Sequence, residues 1–345
     1  MDPEPVLRQI AFELERAGAP SYRVQAFRRA AGVLAALPAG ELARRIADGT
    51  LQDLRGIGPA TASAIAQAAA GERPDYLVKL ETAYQPPERT AMRAALRGDC
   101  HSHSDWSDGG SSPLEMAEAA RILGHEWIAL TDHSPRLTVA NGLSVERLTE
   151  QLALIEKLNS DLAPFRILTG IEVDILEDGS LDQRDDLLAR LDVVVASVHS
   201  QLRMPAGPMT TRMLAAIASP HVDVLGHCTG RMKGGRRNRP ESEFDARAVF
   251  AACRDRGVAV EINCRPERQD PPDGLLRQAA DAGCLFAIDT DAHAPGQLDW
   301  LDNGCDRAER AGIAPDRVLN TRSAAEMTTR SRPVAGRPNN QRGLS

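Results

Sequence analysis

Residues 98–110 read GDCHSHSDWSDGG. Two imidazoles, His101 and His103, flank one serine, and the carboxylate of Asp108 follows five residues after the second. The stretch lies where a change from apolar to polar residues marks the end of a strand over 97–103. Alternate residues of a strand face one side, so His101 and His103 present their rings together while Cys100 and Ser102 turn away. One such pair is weak evidence of chemistry, because a histidine at a strand end is more often a hydrogen-bonded structural residue than a ligand. The question is whether other strands end the same way.

They do. Six more short apolar runs follow: EWIALTDH (126–133), RILTGIEVDI (166–175), DVVVASVHS (192–200), VDVLGH (222–227), VAVEINC (258–264) and LFAIDTDAH (285–293). Each is bounded by polar residues, as expected for strands buried on both faces of a parallel sheet. Helical segments separate most of them. SPLEMAEAARILG opens with a capping box, Ser112 to Glu115, with Pro113 at the first helical position. SVERLTEQLALIEKLN repeats Leu148, Leu152, Ile155 and Leu158 along one face. Seven such units predict an α/β fold, either a barrel or a doubly wound sheet.

The polar ends carry the signal. The second run finishes in Asp132 and His133, the third in Glu172 and Asp174, the fourth in His199, the fifth in His227, and the seventh in Asp291 and His293. Six of the eight histidines thus sit at strand C-termini, where a parallel barrel builds its active site. His125 and His221 precede strands and are read as structural residues of the opposite rim.

Imidazoles and carboxylates converging at one mouth stay costly to desolvate unless cations neutralise them. Such a set suits zinc, manganese or iron better than magnesium alone, which prefers oxygen. About nine donors are too many for one six-coordinate ion. Two or three divalent ions are expected, with Glu172 sharing its two oxygens as the bridge. Asp132 is a candidate to orient His133 from behind. A glycine-rich run of cations, GRMKGGRRNRP, leaves the mouth after His227 with Arg231, Lys233, Arg236, Arg237 and Arg239. Arg231 is the candidate phosphate clamp.

The bulk composition permits this reading. The 345 residues are 42% apolar, enough for a sizeable core, and suggest two domains or a large barrel with an appendage. No run of eighteen apolar residues predicts a membrane span, and MDPEPVLRQI is acidic with no apolar signal region, so a cytoplasmic location is expected. Six scattered cysteines read as buried thiols. Net charge is −7, but residues 1–97 hold 13 Lys and Arg against 11 Asp and Glu. The first part is mildly basic and the rest acidic, which excludes a chain that coats nucleic acid indiscriminately.

The first 80 residues or so lack strand alternation. VLRQIAFELERAG, FRRAAGVLAAL, ELARRIADG and TASAIAQAAAG predict four short helices. YQPPERTAMRAAL, with Pro86 and Pro87, predicts a linker or a short connecting helix. The expected boundaries are a helical domain over 1–82, a linker over 83–96, a barrel over 97–321 and a tail without structure over 322–345.

The ordered set HSH, WSDG, TDH, GIEVDI, SVHS, GHCTGR and DTDAH resembles the PHP (polymerase and histidinol phosphatase) superfamily of metal-dependent phosphoesterases. The likeness is to the PHP domain that ends bacterial family-X DNA polymerases. It implies a distorted seven-stranded, TIM-like β/α barrel with a trinuclear metal site. Carried over position by position, the ligands are His101, His103, Asp108, His133, Glu172, His199, His227, Asp291 and His293. SYRVQAFRRAAGVLAALP followed by LRGIGPATASAIAQ resembles that family's N-terminal helix-hairpin-helix domain. Gly56 and Gly58, beside Arg55, would form a hairpin whose backbone N–H groups meet a DNA phosphate at the start of the next helix.

Two departures from the family stand out. Only about fifteen residues separate the two parts, too few for a polymerase palm, so polymerisation is not expected. Ala64 stands where a Schiff-base lysine for lyase chemistry would be sought, with only Lys79 nearby. The expected function is hydrolysis of DNA phosphate esters, as a 3′-5′ exonuclease or 3′-end-processing phosphatase in repair. In that reading Glu172 and Asp291 hold the ions that activate water, and Arg231 orients the phosphate. Two rivals remain: a small-molecule phosphomonoesterase of the histidinol-phosphatase type, and a non-catalytic DNA-binding adaptor.

Overall fold

The computed structural model describes residues 1–85, 87–234 and 238–329. These form two compact units, one of residues 1–88 with Ala294–Asp299 and one of residues 89–293 with 300 onward.

The first unit holds five helices: α1 (Pro3–Arg16), α2 (Ser21–Ala35), α3 (Glu41–Ala47), α4 (Pro59–Ala69) and α5 (Asp75–Ala83). Its core joins Leu7, Ile10 and Leu14 of α1, Phe27, Ala30 and Ala31 of α2, Ile65 and Ala68 of α4, and Leu77 of α5. In FRRAA the phenylalanine and alanines face this core, which turns Arg28 and Arg29 outward. Arg28 pairs with Glu15 through two hydrogen bonds of 2.9 and 2.8 Å. Helix α5 goes beyond the four expected, because only Leu77 of DYLVKLETA is buried and the apolar stripe is too sparse to read. The segment Ala294–Asp299 belongs here too: the Gly296 N–H donates to Glu15 Oε2 at 2.9 Å.

The second unit is a barrel. Its strands are β1 (Gly98–Asp99), β2 (Trp127–Leu130), β3 (Arg166–Asp174), β4 (Val193–Ser197), β5 (Val224–Leu225), β6 (Ala259–Asn263) and β7 (Phe286–Asp289). They pair in parallel in sequence order, from β1 to β7. All seven expected strands are present, and the doubly wound alternative is excluded by this order. A bridge between Ser102 and Ala292 brings β1 back to β7, with the His103 N–H donating to Ala292 O at 2.8 Å. Lower on the same seam, the Asn320 side chain stands in for a ladder. Its Nδ2 donates to Gly98 O and Ile288 O, and its Oδ1 accepts from the Ile288 N–H.

Alternation sorts the strand residues into two layers. Val194, Ala196, Val260, Ile262 and Ile288 pack outward against the helices, with Met213, Phe250 and Leu276. Val193, Val195, Val224, Ala259 and Ala287 form a separate cluster with Trp127. These are mostly residues from strand beginnings, so apolar packing fills that end of the barrel and leaves the strand C-termini for polar groups.

Two boundaries differ from expectation. The short connecting helix offered as the alternative to a linker is present, Ala91–Ala95, and its Met92 is buried in the barrel core, so the barrel unit begins before residue 97; Pro86 lies outside the described residues. The expected tail starts too early at Arg322. Residues Ala324–Thr328 form a helix opened by a Ser323–Glu326 capping box, and Met327 is buried among the strand beginnings. A single buried methionine was enough to fix this turn, and polar neighbours concealed it. Residues 330–345 lie outside the described residues.

His125, just before β2, is buried with neither ring nitrogen hydrogen-bonded among the described residues. Burial, with the Arg93 and Arg89 charges nearby, pushes its imidazole down to about 3 from the usual 6.5. The unfolded chain therefore binds a proton between these values that the native state refuses. This ring's contribution is present above pH 6.5 and is lost as pH falls toward 3. The expected outcome is that His125→Leu gains on the wild type in melting temperature as pH drops from 6.5 to 4. Parallel melting curves across that window would refute the assignment.

Candidate metal centre

Each strand end delivers its side chain to one place. His101 and His103 follow β1, His133 follows β2, Glu172 lies near the end of β3, His199 follows β4, His227 follows β5, and Asp291 and His293 follow β7. Glu172 lies at the centre. Its Oε2 is 2.8 Å from His133 Nδ1, 3.4 Å from His101 Nε2 and 3.6 Å from His103 Nε2. Its Oε1 is 2.9 Å from His227 Nε2 and 3.3 Å from His199 Nε2. Asp291 Oδ1 approaches His103 Nε2 at 3.5 Å, and Asp108 Oδ1 lies 3.5 Å from His133 Nε2 and 3.4 Å from His293 Nε2. The nine residues proposed from sequence therefore converge.

The convergence lacks the hydrogen bonds that would make it self-sufficient. Both oxygens of Glu172, Nε2 of His199 and Nε2 of His227 are buried with no hydrogen-bond partner among the described residues. Unpaired buried polar atoms of this kind are costly. Imidazole nitrogens alternating with carboxylate oxygens are the donors that divalent transition metals take. Three overlapping groups have donor atoms close enough to share an ion: His103, Asp108, His133 and His293; His101, His103 and Glu172; and His133, Glu172 and His199.

Charge follows the same geometry. Burial pushes the Glu172 carboxyl up, but His199, His101 and His133 outweigh it and hold the group well below the carboxylate range. Burial likewise opposes ionisation of Asp291, where the Arg268 and Arg265 guanidiniums prevail and keep it charged. Arg268 Nε lies 3.0 Å from Asp291 Oδ2. His103 is driven well below 6.5 by burial and by the rings of His293 and His133. His199 moves the other way, to about 9, because Glu172 and Asp174 overcome its burial. Asp291 also adopts φ 51°, a left-handed conformation uncommon for a residue other than glycine.

Some sequence-based roles need correction. The Arg231 side chain donates from Nε to Arg268 O at 2.9 Å, from Nη2 to Gln269 O and from Nη1 to Glu241 Oε1 at 3.2 Å. It braces the loop after β6, and its guanidinium is committed there instead of to a phosphate. Arg239 donates to Gly230 O, while Arg236 and Arg237 lie outside the described residues. Asp132 does not orient His133. It accepts from the Ser104 N–H and the Ser104, Ser107 and Gln151 side chains, which fixes the loop that carries Asp108. A carboxylate stands behind a different ring: Asp174 lies 2.7 Å from His199 Nδ1.

Glu261, Arg265 and Arg268 escaped the sequence reading. Glu261 Oε1 is 2.5 Å from His101 Nδ1. A charged residue inside the buried run VAVEINC was the available signal, since such a position is expensive unless it has a partner.

In the first unit, Gly56 has φ 103°, and a Cβ there would stand 3.2 Å from the Arg29 stem. The Gly58 N–H is taken by Thr61 Oγ1 at 2.9 Å, so first-turn N–H groups at Ala60 and Thr61 are the ones left to meet an anion. Arg55 is exposed, Ala64 is buried and Lys79 is exposed.

Residues 99–265 match the PHP domain family, and residues 4–73 match the helix-hairpin-helix domain family. Residues 99–265 thus form a PHP domain. That domain is of the metal-dependent phosphoesterase class, and a helix-hairpin-helix domain precedes it in the chain. The chain is 41% identical over 232 residues to the DNA polymerase/3′-5′ exonuclease PolX of Bacillus subtilis strain 168, covering 67% of this chain and 40% of that protein. It is 29% identical over 238 residues to a protein named "probable phosphatase" from Thermoanaerobacter sp. strain X514, covering 65% of this chain and 89% of that one. Among solved structures, the histidinol phosphate phosphatase of Lactococcus lactis with zinc, L-histidinol and phosphate aligns with TM-score 0.48 and 18% identity. That alignment covers 63% of this chain and 94% of the other. Among the described residues of this PHP protein, no helix is long and apolar enough to cross a membrane.

If Glu172 is shared between ions, Glu172→Gln removes the charge that holds them without changing the side chain's shape. Elemental analysis is expected to find at least one ion fewer per chain than in the wild type, with an unchanged circular dichroism spectrum. A full complement of metal would exclude the bridge.

Proposed function

We propose that this PHP protein hydrolyses phosphate esters at DNA 3′ ends, as an exonuclease or end-processing phosphatase, with two or three zinc, manganese or iron ions held by His101, His103, Asp108, His133, Glu172, His199, His227, Asp291 and His293. Divalent ions bound there supply Lewis acidity, making water a nucleophile near neutral pH and offsetting charge on the ester. The remaining work falls to side chains. Neighbouring cationic groups hold the Glu172 and Asp291 carboxyls well below the usual carboxylate range, which favours the charged form that a metal takes. Arg268 fixes Asp291. Arg265, whose Nη1 lies 3.3 Å from His293 Nδ1 and 3.6 Å from Asp291 Oδ1, is partly exposed and takes over the phosphate-clamp role first given to Arg231.

The observation that carries the DNA part is the hairpin. Arg29 and Arg55 are exposed beside Gly56, and among the described residues neither has an ion-pair partner. Lyase chemistry finds no support, because Ala64 is packed in the core. The intact donor set weighs against a non-catalytic adaptor.

End-labelled DNA and histidinol phosphate, assayed side by side with Mn²⁺, distinguish the substrates. DNA 3′ ends are expected to be consumed faster, and Asp291→Asn to fall below a tenth of the wild-type rate, a loss of at least ~1.4 kcal/mol.

The paired substitution Arg29→Ala with Arg55→Ala should weaken DNA cleavage and flatten its salt dependence. The logarithmic slope drops by about 0.9 for each phosphate no longer neutralised, while hydrolysis of a small chromogenic ester is unchanged. Should the double variant leave the DNA rate and slope untouched and histidinol phosphate prove the better substrate, the small-molecule phosphatase reading replaces this one.

A further inference from the structure

Strand β6 contributes none of the nine proposed ligands, yet it carries a buried carboxylate that joins two of them. Ala259 packs with the inner apolar cluster while Val260 and Ile262 pack outward, so Glu261 and Asn263 point into the barrel. Glu261 is fully buried. One oxygen, Oε1, lies 2.5 Å from His101 Nδ1. The other, Oε2, accepts from the His227 backbone N–H at 2.5 Å and from Asn263 Nδ2 at 3.2 Å. The same Asn263 amide donates to Asp291 Oδ2 at 3.2 Å, and Asn263 Oδ1 accepts from the Arg265 N–H at 3.1 Å. Glu261 thereby ties down groups from the ends of β1 and β5 directly, and one from the end of β7 through Asn263.

We infer that Glu261 is a positioning residue for the metal centre, fixing His101 in the tautomer that turns Nε2 inward and holding His227 and Asp291 in register with it. The inference rests on the reading of those three residues as ligands. The chemistry requires a carboxylate. Its two oxygens accept from three donors, and a carboxylate donates nothing in return. With Nδ1–H directed at Glu261, the free lone pair of His101 is on Nε2, the nitrogen 3.1 Å from His103 Nε2 and 3.4 Å from Glu172 Oε2. An amide at this position would have the same shape but would aim an N–H₂ at either the His101 ring or the His227 N–H. Partners behind a ligating histidine set ring orientation and basicity, and losing one typically costs 10–100-fold in metal affinity.

The test uses the full chain and Zn²⁺. In the zinc-loaded wild type, long-range ¹H–¹⁵N spectra should show His101 protonated at Nδ1. Glu261→Gln should lose that signature and bind Zn²⁺ 10–100-fold more weakly in chelator competition, with metal-free melting temperature near the wild type's. A His101 protonated at Nε2 in the wild type overturns the inference whether or not the variant folds. Unchanged zinc affinity in Glu261→Gln overturns it as well. Failure of the wild type to bind zinc, manganese or iron would be a different result, removing the metal reading itself.

Discussion

Everything in the barrel answers to one buried carboxylate surrounded by imidazoles. Glu172 has five histidine rings within 3.6 Å and no hydrogen-bond donor among the described residues. A carboxylate in that setting is tolerable only if positive charge reaches both oxygens. The scaffold is shaped to place it there. Strand β3 runs nine residues, while β1 and β5 have two each. The short strands end early, which lets their histidines fold over the mouth. Ordinary ladder bonds are given up in exchange, and the Asn320 side chain with the Ser102–Ala292 bridge makes up for them at the seam.

The loops hold the strand ends by the same means. Arg268 faces Asp291, Arg231 grips the carbonyls of Arg268 and Gln269, and Asp270 accepts from Thr229 on the loop that carries Arg231. The left-handed backbone at Asp291 is sustained by these neighbours. A guanidinium that looks free in the sequence thus proves to be scaffolding, gripping the loop whose Arg268 meets the site.

What could be read in advance follows from how far a pattern is local. Strands announce themselves by short apolar runs, and HSH, TDH, SVH and DTDAH announce their ends by polarity, so the barrel and its rim of donors were legible. Glu261 was not, because its meaning lies in partners on other strands, the farthest His101 at 160 residues' separation. Arg231 was misread for the converse reason: its spacing suits a phosphate loop, but its partners are carbonyls 37 and 38 residues on. Helix α5 and the turn around Met327 were missed because one buried side chain leaves no period to detect.

Charge counting meets the same limit in the helical unit. A small positive excess suggested a basic surface, yet most of the arginines are spent internally. Arg8 pairs with Glu4, Arg28 with Glu15, Arg44 and Arg45 with Glu41, and Arg73 with Glu81. Pairs like these cancel at a distance of a Debye length and offer little to a polyanion. Charge also stays uncancelled at the hairpin, with Arg29 lying over Gly56 and Arg55 one residue before it. A net of +2 over residues 1–97 is therefore compatible with a defined phosphate site. In the proposed phosphate site the attraction is assigned to two guanidiniums and a helix's first N–H groups, which act at close range and are indifferent to the sum over the rest of the unit.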